Sequence, residues 1–416
     1  MRRSGLKFGA IGMGTVGRQV LSQEVHGRRD FPIYWVADSK SVLSRESEPF
    51  TPKEIGMIVD LKAEGKSLSS QMRGVSNARI DEFRDSRQES RILRSIMTKK
   101  EEWLVFNTSS LAPLDDYEIA RATMGIAGLC TANKTSWADH RLCSDLYRCA
   151  EKSETFLGLN CTTGVWVDQM ESLPLVMKYL TKDRITITKR DNSSLNTFFA
   201  KVDSSIDPDD AMREIGAAGH LEPGAKDFSK EVHDQILKAR IASNICGVLR
   251  GIKPRFVDET SAGPDRPRSM SPADIALWHR EGDRRRRFKA LVSRIVLDQD
   301  GKERLGCTVS FGELPRGSRL ARHFPGKSAV HIESNGPTAS SDRSERRRGS
   351  GYFHAGYGGA ERTAAKLLWE AERVSRLHPS RGRVPFAPLP VLFAERLGNE
   401  AEVKLRETIE ASLVLH

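Results

Sequence analysis

The sequence predicts an α/β fold made of two domains. Its 416 residues exceed the size of one hydrophobic core. In the first third, short apolar runs end in small polar residues and alternate with helical stretches, which is typical of a parallel sheet with its ligand at the carboxyl ends of the strands. From about residue 151, alternating strand-like runs predict an α+β domain. We therefore expect residues 1–150, completed by about 352–375, to form the first domain, 151–351 the second, and 376–416 a C-terminal extension.

Composition restricts the class of protein. Apolar residues make up 38% of the chain and charged residues 29%, which is a globular profile. No apolar run approaches the roughly 18 residues that cross a bilayer, so no membrane association is expected. The basic opening segment has no signal-peptide cleavage pattern. The six cysteines include no CxxC pair or short His/Cys cluster, so we expect reduced thiols, no metal site and a cytoplasmic location.

The net charge of +11 raises the question of nucleic-acid binding. Two basic runs carry much of it, DRRRRFK (283–289) and RSERRRGSG (343–351). Neither belongs to a recognisable nucleic-acid module. The first run favours a solvated helix face and the second a loop rich in Ser, Gly and Arg. We therefore expect a small-molecule substrate and no nucleic acid, because an anionic substrate or cofactor suits such a surface equally well. A polyanion-binding role stays open as an alternative.

The predicted elements follow one another in a simple order. In the first domain, strands are expected at 6–11, 32–37, 101–110 and 124–134, and helices around 53–64 and 87–98. In the second domain, strands are expected at 184–190, 307–314 and 327–334, with a helix at 231–249. A glycine-rich turn and helix at 354–374 would complete the first domain, and the C-terminal extension would contain a helix near 399–412.

The first chemical motif is Gly12-Met13-Gly14-Thr15-Val16-Gly17, between the first strand and the first helix. Glycines at this spacing allow a tight turn and close approach of the backbone to a pyrophosphate, which rests on the helix N-terminus. The motif predicts a Rossmann-type dinucleotide-binding domain, although a purely structural turn is the alternative. Asp38 follows Gly17 by 21 residues and could hold a ribose 2′-hydroxyl of NAD or serve only as a strand-end turn residue. Lys40 could instead meet the 2′-phosphate of NADP, so the cofactor is NAD(P)H with both forms open.

The second motif lies in the helix at 231–249. Asp234 and Lys238 are four residues apart and project from the face that continues into Ile241 and Ile245. A surface ion pair is one interpretation. A half-buried lysine paired with a carboxylate could instead deliver a proton to a developing alkoxide. Periodicity alone does not decide between the two.

Several motifs in a consistent order resemble homoserine dehydrogenase over about residues 6–375. They are Asn107-Thr108-Ser109-Ser110, Thr131-Ala132-Asn133-Lys134, the loop Gly219 to Glu222-Pro223 followed by Asp234 and Lys238, and the cluster Gly356, Gly358, Gly359, Thr363 and Ala364. The passage 314–334 also resembles the family.

The resemblance implies a reaction and roles. The family reduces aspartate 4-semialdehyde to homoserine with NAD(P)H, a step of threonine and methionine biosynthesis, and the resemblance suggests a homodimer. Lys238 would be the general acid, Asp234 would position it, and Glu222 would bind the substrate amino group. Asn196 would contact the substrate and Lys134 the nicotinamide and substrate, with the charges of the helix lining a cleft between the domains. The remaining cofactor residues would be Asn107, Thr108, Ser109, Gly356 and Gly358, besides the first glycine turn.

The departures from the family lie on the substrate side. The family has a glutamate before a glycine-rich run, where this chain has the segment 160–168, NCTTGVWVD. Its N-G-[ST]-x-N turn has lost the glycine, which is Ser193 here. The alternatives are therefore an oxidoreductase acting on another amino-acid-derived aldehyde and a non-catalytic dinucleotide-binding homologue. The tail is too short for the regulatory domain that some family members append.

Overall fold

In the computed structural model of the chain, the structure describes residues 6–26, 31–71, 77–98, 102–163, 184–218, 220–221, 225–262, 265–284, 287–298, 304–315, 319–321, 327–335, 350–357 and 360–377. These residues form two compact units. The first unit contains the described residues up to Thr162 and the helix that begins at Ala360, and the second contains those between Thr163 and Gly359.

The first unit is built on a seven-stranded sheet. Its strands are β1 (Lys7–Ile11), β2 (Ile33–Ala37), β3 (Ser41–Ser44), β4 (Arg79–Glu82), β5 (Trp103–Asn107), β6 (Gly128–Thr131) and β7 (Phe156–Gly158), in the order β4-β3-β2-β1-β5-β6-β7. The strands β2, β1, β5, β6 and β7 are mutually parallel, whereas β3 pairs antiparallel with β2 and β4 pairs antiparallel with β3. The parallel strands are almost wholly buried, which explains why they appear in the sequence as continuous apolar runs.

Helices connect and cover these strands. They are α1 (Thr15–His26), α2 (Pro52–Ala63), α3 (Leu68–Gln71), α4 (Ser86–Ile96), α5 (Pro113–Ala122), α6 (Thr135–Ala138), α7 (His140–Ser153), α8 (Asn160–Thr163) and the late helix α13 (Ala360–Leu377). Helix α1 packs against α2 and α13. The last described helix therefore completes the first unit.

The second unit contains a six-stranded sheet. Its strands are β8 (Arg184–Arg190), β9 (Arg255–Asp258), β10 (Arg287–Asp298), β11 (Arg304–Pro315), β12 (Lys327–Asn335) and β13 (Ser350–Tyr357), in the order β13-β12-β8-β10-β11-β9. All pairs are antiparallel except β9 with β11. The helices are α9 (Ser193–Asp203), α10 (Pro208–Ala217), α11 (Ser229–Arg250) and α12 (Pro272–Arg284), and α11 and α12 pack on the sheet. The predicted fold class, a Rossmann-type domain followed by an α+β domain, is confirmed.

One interpretation of the sequence is wrong. The basic run 283–289 was expected to be a solvated helix face, but α12 ends at Arg284 and β10 begins at Arg287. Lys289 is buried within β10 and pairs with Asp265 at 2.7 Å. A strand that begins with charged residues lacks the apolar alternation by which strands are recognised.

Several expectations concern residues outside the described ranges. The tail helix near 399–412, residues 343–349 of the second basic run and the segment 164–168 all lie there. Among the described helices, none combines the length and apolar character needed to cross a membrane. Within the same ranges, no group of three or more His, Cys, Asp or Glu residues could hold a metal ion.

Candidate functional site

The glycine turn connects β1 to α1 and depends on two of its glycines for shape. Gly12 has a φ of +86°, which favours glycine, and a Cβ there would lie 2.4 Å from the Ser109 backbone nitrogen. A Cβ at Gly17 would lie 1.9 Å from the Gly12 carbonyl oxygen. No atom of the residues that the structure describes lies within 4 Å of the Cβ position of Gly14. Gly12 and Gly17 therefore serve packing, whereas Gly14 leaves open space in front of the N-terminus of α1, where Thr15 and Val16 are the first helical residues.

The loop after β5 is hydrogen bonded to this turn. The Thr108 hydroxyl donates to the carbonyl oxygens of Ile11 at 3.0 Å and Gly12 at 2.5 Å. The buried Asn107 accepts hydrogen bonds through its Oδ1 atom from the Ser109 amide and hydroxyl. Strand β1 lies between β2 and β5, so the two loops meet where the strand order reverses. In open α/β sheets, this switch point is where ligands bind.

A crevice of about 540 Å³ opens at this switch point. The glycine turn, the end of β2, the beginning of α4 and the loop after β5 form its walls. Its lining includes five of the predicted cofactor residues, namely Gly12, Gly14, Asp38, Thr108 and Ser109. Lys40 is exposed and is not among the lining residues. The size and position of the crevice suit part of a dinucleotide.

Asp38 has a dense set of partners at the end of β2. Its Oδ1 atom accepts from the Lys40 amide and from the amide and hydroxyl of Ser41, which closes the turn into β3. Its Oδ2 atom accepts from the Lys62 ammonium and the Leu68 amide, both at 3.0 Å. Burial acts to raise the pKa of Asp38, but these hydrogen bonds and the Lys62 charge together lower it. The turn role that the sequence offered is present, and binding of a ribose stays a prediction.

Lys134 follows a buried polar network behind the β5 loop. Asn133 donates to the Ser109 hydroxyl at 3.0 Å, and Asn107 donates to Asp116 at 3.1 Å. Asp116 also accepts from the Ser136 amide, and burial raises its pKa. Lys134 is half-buried at the beginning of α6, so the network fixes its backbone beside the β5 loop. Sequence reasoning missed Asp116, whose only signal was its place in the first turn of α5.

Glu89 is a second residue that sequence reasoning missed. It lies on α4, lines the crevice and is only 3% exposed. Burial, reinforced by the nearby charges of Asp38 and Asp115, raises the pKa of Glu89 to about 8. At neutral pH its carboxyl group is therefore mainly protonated.

Asp234 and Lys238, the predicted acid–base pair, belong to the second unit. The Lys238 ammonium contacts the Asp234 Oδ2 atom at 2.6 Å and donates to the Asp191 carbonyl oxygen at 3.1 Å. The side chains of Lys238 and Asp234 are 14% and 8% exposed. A freely solvated surface pair is thereby excluded, because both charges are largely removed from water while Lys238 keeps some access to it.

The turn after β8 fixes the position of the Lys238 partner. The Asp191 amide donates to the Gln235 Oε1 atom at 3.0 Å, and Asn192 donates to the Glu231 carbonyl oxygen at 3.0 Å. Below the turn, the fully buried Lys189 and Asp191 side chains form an ion pair at 2.5 Å. These contacts attach the turn to α11 and hold the carbonyl group that Lys238 contacts.

The remaining residues predicted to bind substrate or cofactor lie away from the Asp234–Lys238 pair in the chain or outside the described residues. Asn196 is buried in α9, where its Oδ1 atom accepts from Arg190 at 2.7 Å. Burial lowers the pKa of that arginine to about 9. Gly356 lies in β13 opposite Ser328 of β12. Glu222 and Gly358 lie outside the described residues.

Comparison with known proteins identifies the fold. No protein-family model matches the sequence, and no curated protein sequence matches it. Solved structures do match. A hyperthermophilic archaeal homoserine dehydrogenase mutant in complex with NADPH has a TM-score of 0.59 and 17% identity, with 91% of this chain and 99% of that chain covered. Homoserine dehydrogenase from Thermoplasma acidophilum has a TM-score of 0.57 and 16% identity, covering 89% and 99%.

A third similar structure has no assigned activity. A Candida auris protein of unknown function has a TM-score of 0.60 and 16% identity, covering 89% of this chain and 98% of that one. Identities at this level establish the fold and leave the activity to be argued from the site. This chain has the two-domain fold of the homoserine dehydrogenases.

Proposed function

We propose that the protein is an NAD(P)H-dependent homoserine dehydrogenase, which reduces L-aspartate 4-semialdehyde to L-homoserine. The observation that carries the proposal is the partly buried Asp234–Lys238 pair on α11, in a chain with this fold. The open space at Gly14 and the crevice around it support a dinucleotide as cofactor. A structural neighbour that contains NADPH supports the same class of cofactor. A homodimer and a cytoplasmic location, both expected above, belong to this proposal.

The residues of the second unit suit proton delivery to an aldehyde oxygen. The bound cofactor supplies the hydride that the aldehyde carbon receives. As negative charge develops on the oxygen, the Lys238 ammonium donates a proton to it and then regains one from solvent. Asp234 pairs with Lys238 and, together with the Asp191 carbonyl group, fixes the direction of its ammonium group. The roles of Lys134, Glu222 and Asn196 in binding cofactor and substrate rest on the family resemblance.

A spectrophotometric assay tests the reaction. Purified protein receives aspartate semialdehyde with NADH or NADPH, or L-homoserine with the oxidised forms. We expect turnover by the natural chain and a decrease in kcat of about two to four orders of magnitude in Lys238→Met, because the general acid is lost while its methylene packing is kept. Lys201→Met is the control, since Lys201 pairs with Glu214 on an exposed surface of the same unit.

Two outcomes would contradict the proposal. No turnover in either direction by the natural chain with both cofactors would reject the activity. Unchanged kcat in Lys238→Met would reject the assignment of the acid. Cofactor binding with no turnover of any aldehyde would favour a non-catalytic dinucleotide-binding protein.

A second candidate, reduction of a different amino-acid-derived aldehyde, is favoured by one observation. The resemblance assigns Asn196 to the substrate, yet Arg190 donates to its Oδ1 atom, and Asn196 in turn donates to the Arg190 carbonyl oxygen at 3.3 Å. Because its side chain already makes these two hydrogen bonds, Asn196 has less capacity to bind a substrate near the turn after β8. The same assay with glutamate 5-semialdehyde and other amino-acid aldehydes separates the candidates, since the true substrate will have the highest kcat/KM.

A further inference from the structure

The crevice contains an acidic side chain that has no hydrogen-bond partner in the described part of the chain. Glu89 lies within the first two turns of α4, lines the crevice together with Gly12, Asp38 and Thr108, and is 3% exposed. Among the described residues, no side chain or backbone group forms a hydrogen bond to its carboxyl group. A buried carboxyl group without partners is costly, because it has left water without replacing the hydrogen bonds it made there. Such a group is suited to a ligand that brings hydrogen-bond donors.

The usual ribose acceptor of this fold is already occupied. In Rossmann domains, an acidic residue near the end of the second strand accepts from the ribose 2′-hydroxyl. Here Asp38 holds that position, but its two oxygens already accept five hydrogen bonds from Lys40, Ser41, Lys62 and Leu68. A carboxylate offers about four lone-pair sites. Little acceptor capacity remains for a ribose hydroxyl.

Glu89 lies near Asp38, in the part of the crevice where the adenosine end of a dinucleotide would bind. The charge of Asp38 acts on the Glu89 carboxyl group, as does that of Asp115 on α5. The strand end occupied by Asp38 marks the adenosine ribose in this fold, whereas the pyrophosphate lies at the glycine turn. Glu89 is therefore on the adenosine side of the crevice.

The charges around Glu89 also disfavour an added phosphate. Asp38, Asp85 and Asp115 line the same crevice, and among its described lining residues only Lys62 and Arg84 carry positive charge. Lys62 already binds Asp38 and the Lys66 carbonyl oxygen. A 2′-phosphate would thus meet more negative than positive charge, and like charges at short distance weaken binding.

We propose that Glu89 accepts a hydrogen bond from the adenosine 2′-hydroxyl of the bound dinucleotide and thereby makes NAD(H), not NADP(H), the cofactor. The inference rests on the proposed function only in that the crevice binds a dinucleotide. It names the residue that distinguishes the two cofactors and does not depend on the identity of the aldehyde.

The proposal predicts how discrimination changes with pH. The pKa of about 8 means that Glu89 is mainly neutral at pH 7 and mainly ionised at pH 9. The ionised carboxylate accepts more strongly from a hydroxyl and repels a 2′-phosphate more strongly. The ratio of Kd for NADPH to Kd for NADH should therefore rise with pH. Other titrating groups also act on the pyrophosphate. Both cofactors contain that pyrophosphate, so this effect cancels in the ratio of the two Kd values.

Direct binding tests the proposal without turnover. Nicotinamide fluorescence gives Kd for NADH and NADPH at pH 7, 8 and 9 and constant ionic strength, for the natural chain, Glu89→Gln and Glu82→Gln. We expect the natural chain to prefer NADH, with a ratio that rises about tenfold from pH 7 to 9. Glu89→Gln should lower the ratio and remove its pH dependence. Glu82→Gln should behave like the natural chain, because Glu82 is exposed at the end of β4 and does not line the crevice.

Each other outcome has a definite meaning. A preference for NADPH in the natural chain, or the same ratio and slope in Glu89→Gln, would overturn the proposal. Equal weakening of both cofactors in Glu89→Gln would also overturn it, because that would place Glu89 against the adenine ring or another shared group. Absence of binding by either cofactor would overturn both this inference and the proposed function. A ratio that depends on Glu89, without turnover of aspartate semialdehyde, would uphold the inference and reject the proposed substrate.

The variant is expected to fold. At pH 7 the neutral carboxyl group of Glu89 and the amide of glutamine have nearly the same shape and no charge. Equal thermal midpoints of the two proteins at pH 7 would show that a changed ratio does not come from unfolding. A second variant, Glu89→Asp, shortens the side chain and keeps the charge, and it should reduce the preference for NADH while retaining its pH dependence.

Discussion

The buried Glu89 should also make the free energy of unfolding of the ligand-free protein depend on pH. A glutamate in an unfolded chain has a pKa near 4.5, and burial raises the pKa of Glu89 in the folded protein to about 8. Between these two values the folded state holds a proton that the unfolded state has released. The free energy of unfolding must then decrease as pH rises from about 4.5 to about 8, and it levels off above that range. Each pH unit inside the range contributes at most about 1.4 kcal/mol, so the full loss is about 2 to 5 kcal/mol.

The substitution Glu89→Gln removes this titration and leaves all others. We expect the natural protein and the variant to have similar free energies of unfolding at pH 5, and the variant to be more stable at pH 9 by an amount of the size given above. Urea denaturation at pH 5, 7 and 9 measures the difference, with the fluorescence of the buried Trp35, Trp103 and Trp137 reporting on the first unit. Parallel pH profiles for the two proteins would refute the reasoning, as would a variant that is less stable at pH 9.

Three glycine substitutions separate packing from ligand binding. Gly158→Ala should destabilise the first unit by about 1 to 3 kcal/mol, because the new Cβ would lie 2.6 Å from the Glu370 Oε2 atom; a denaturation midpoint equal to that of the natural chain would contradict this. Gly17→Ala should also destabilise it, because the Cβ would lie 1.9 Å from the Gly12 carbonyl oxygen. Gly14→Ala should leave the midpoint unchanged and weaken NADH binding, since the new methyl group would meet none of the described residues and would enter the space in which we expect the cofactor. Unaltered NADH affinity in Gly14→Ala would place the pyrophosphate elsewhere.

The elements that the sequence predicted best are those with local signals. The helix expected at 53–64 is α2, Pro52–Ala63, where Thr51 and Glu54 form a capping box. The helix expected at 87–98 is α4, Ser86–Ile96, which Asp85 caps. The first strand and the glycine turn agree for the same reason, because the apolar run and the glycines lie next to each other in the chain.

The antiparallel extension of the first sheet was not predicted. Strand β4 (Arg79–Glu82) is a half-exposed edge strand of four residues, so it lacks both the length and the apolar pattern of a recognisable strand. Strand β3 (Ser41–Ser44) depends on the turn that Asp38 closes. From the sequence, Asp38 was interpreted equally as a ribose ligand and as a turn residue. One of its hydrogen-bond partners, the Leu68 amide, lies 30 residues further along the chain. Such a contact exists only after folding, and for that reason neither the saturation of Asp38 nor the isolation of Glu89 could be anticipated.

Two substitutions relative to the homoserine dehydrogenase motifs, at Ser193 and near Asn160, change the local structure less than the sequence suggests. Ser193, where the family has glycine, is the first residue of α9 and follows the cap residue Asn192, so that position has a helical backbone and needs no glycine. At Asn160, near where the family has a glutamate, the backbone amide donates to the Glu370 Oε1 atom at 3.2 Å. A carboxylate is therefore present beside this segment, supplied by α13. The missing glycine requires no change of backbone conformation, and another carboxyl group lies beside the position of the missing acid. It follows that neither substitution alone argues for lost chemistry, and the engagement of Asn196 by Arg190 is the stronger reason to test other aldehydes.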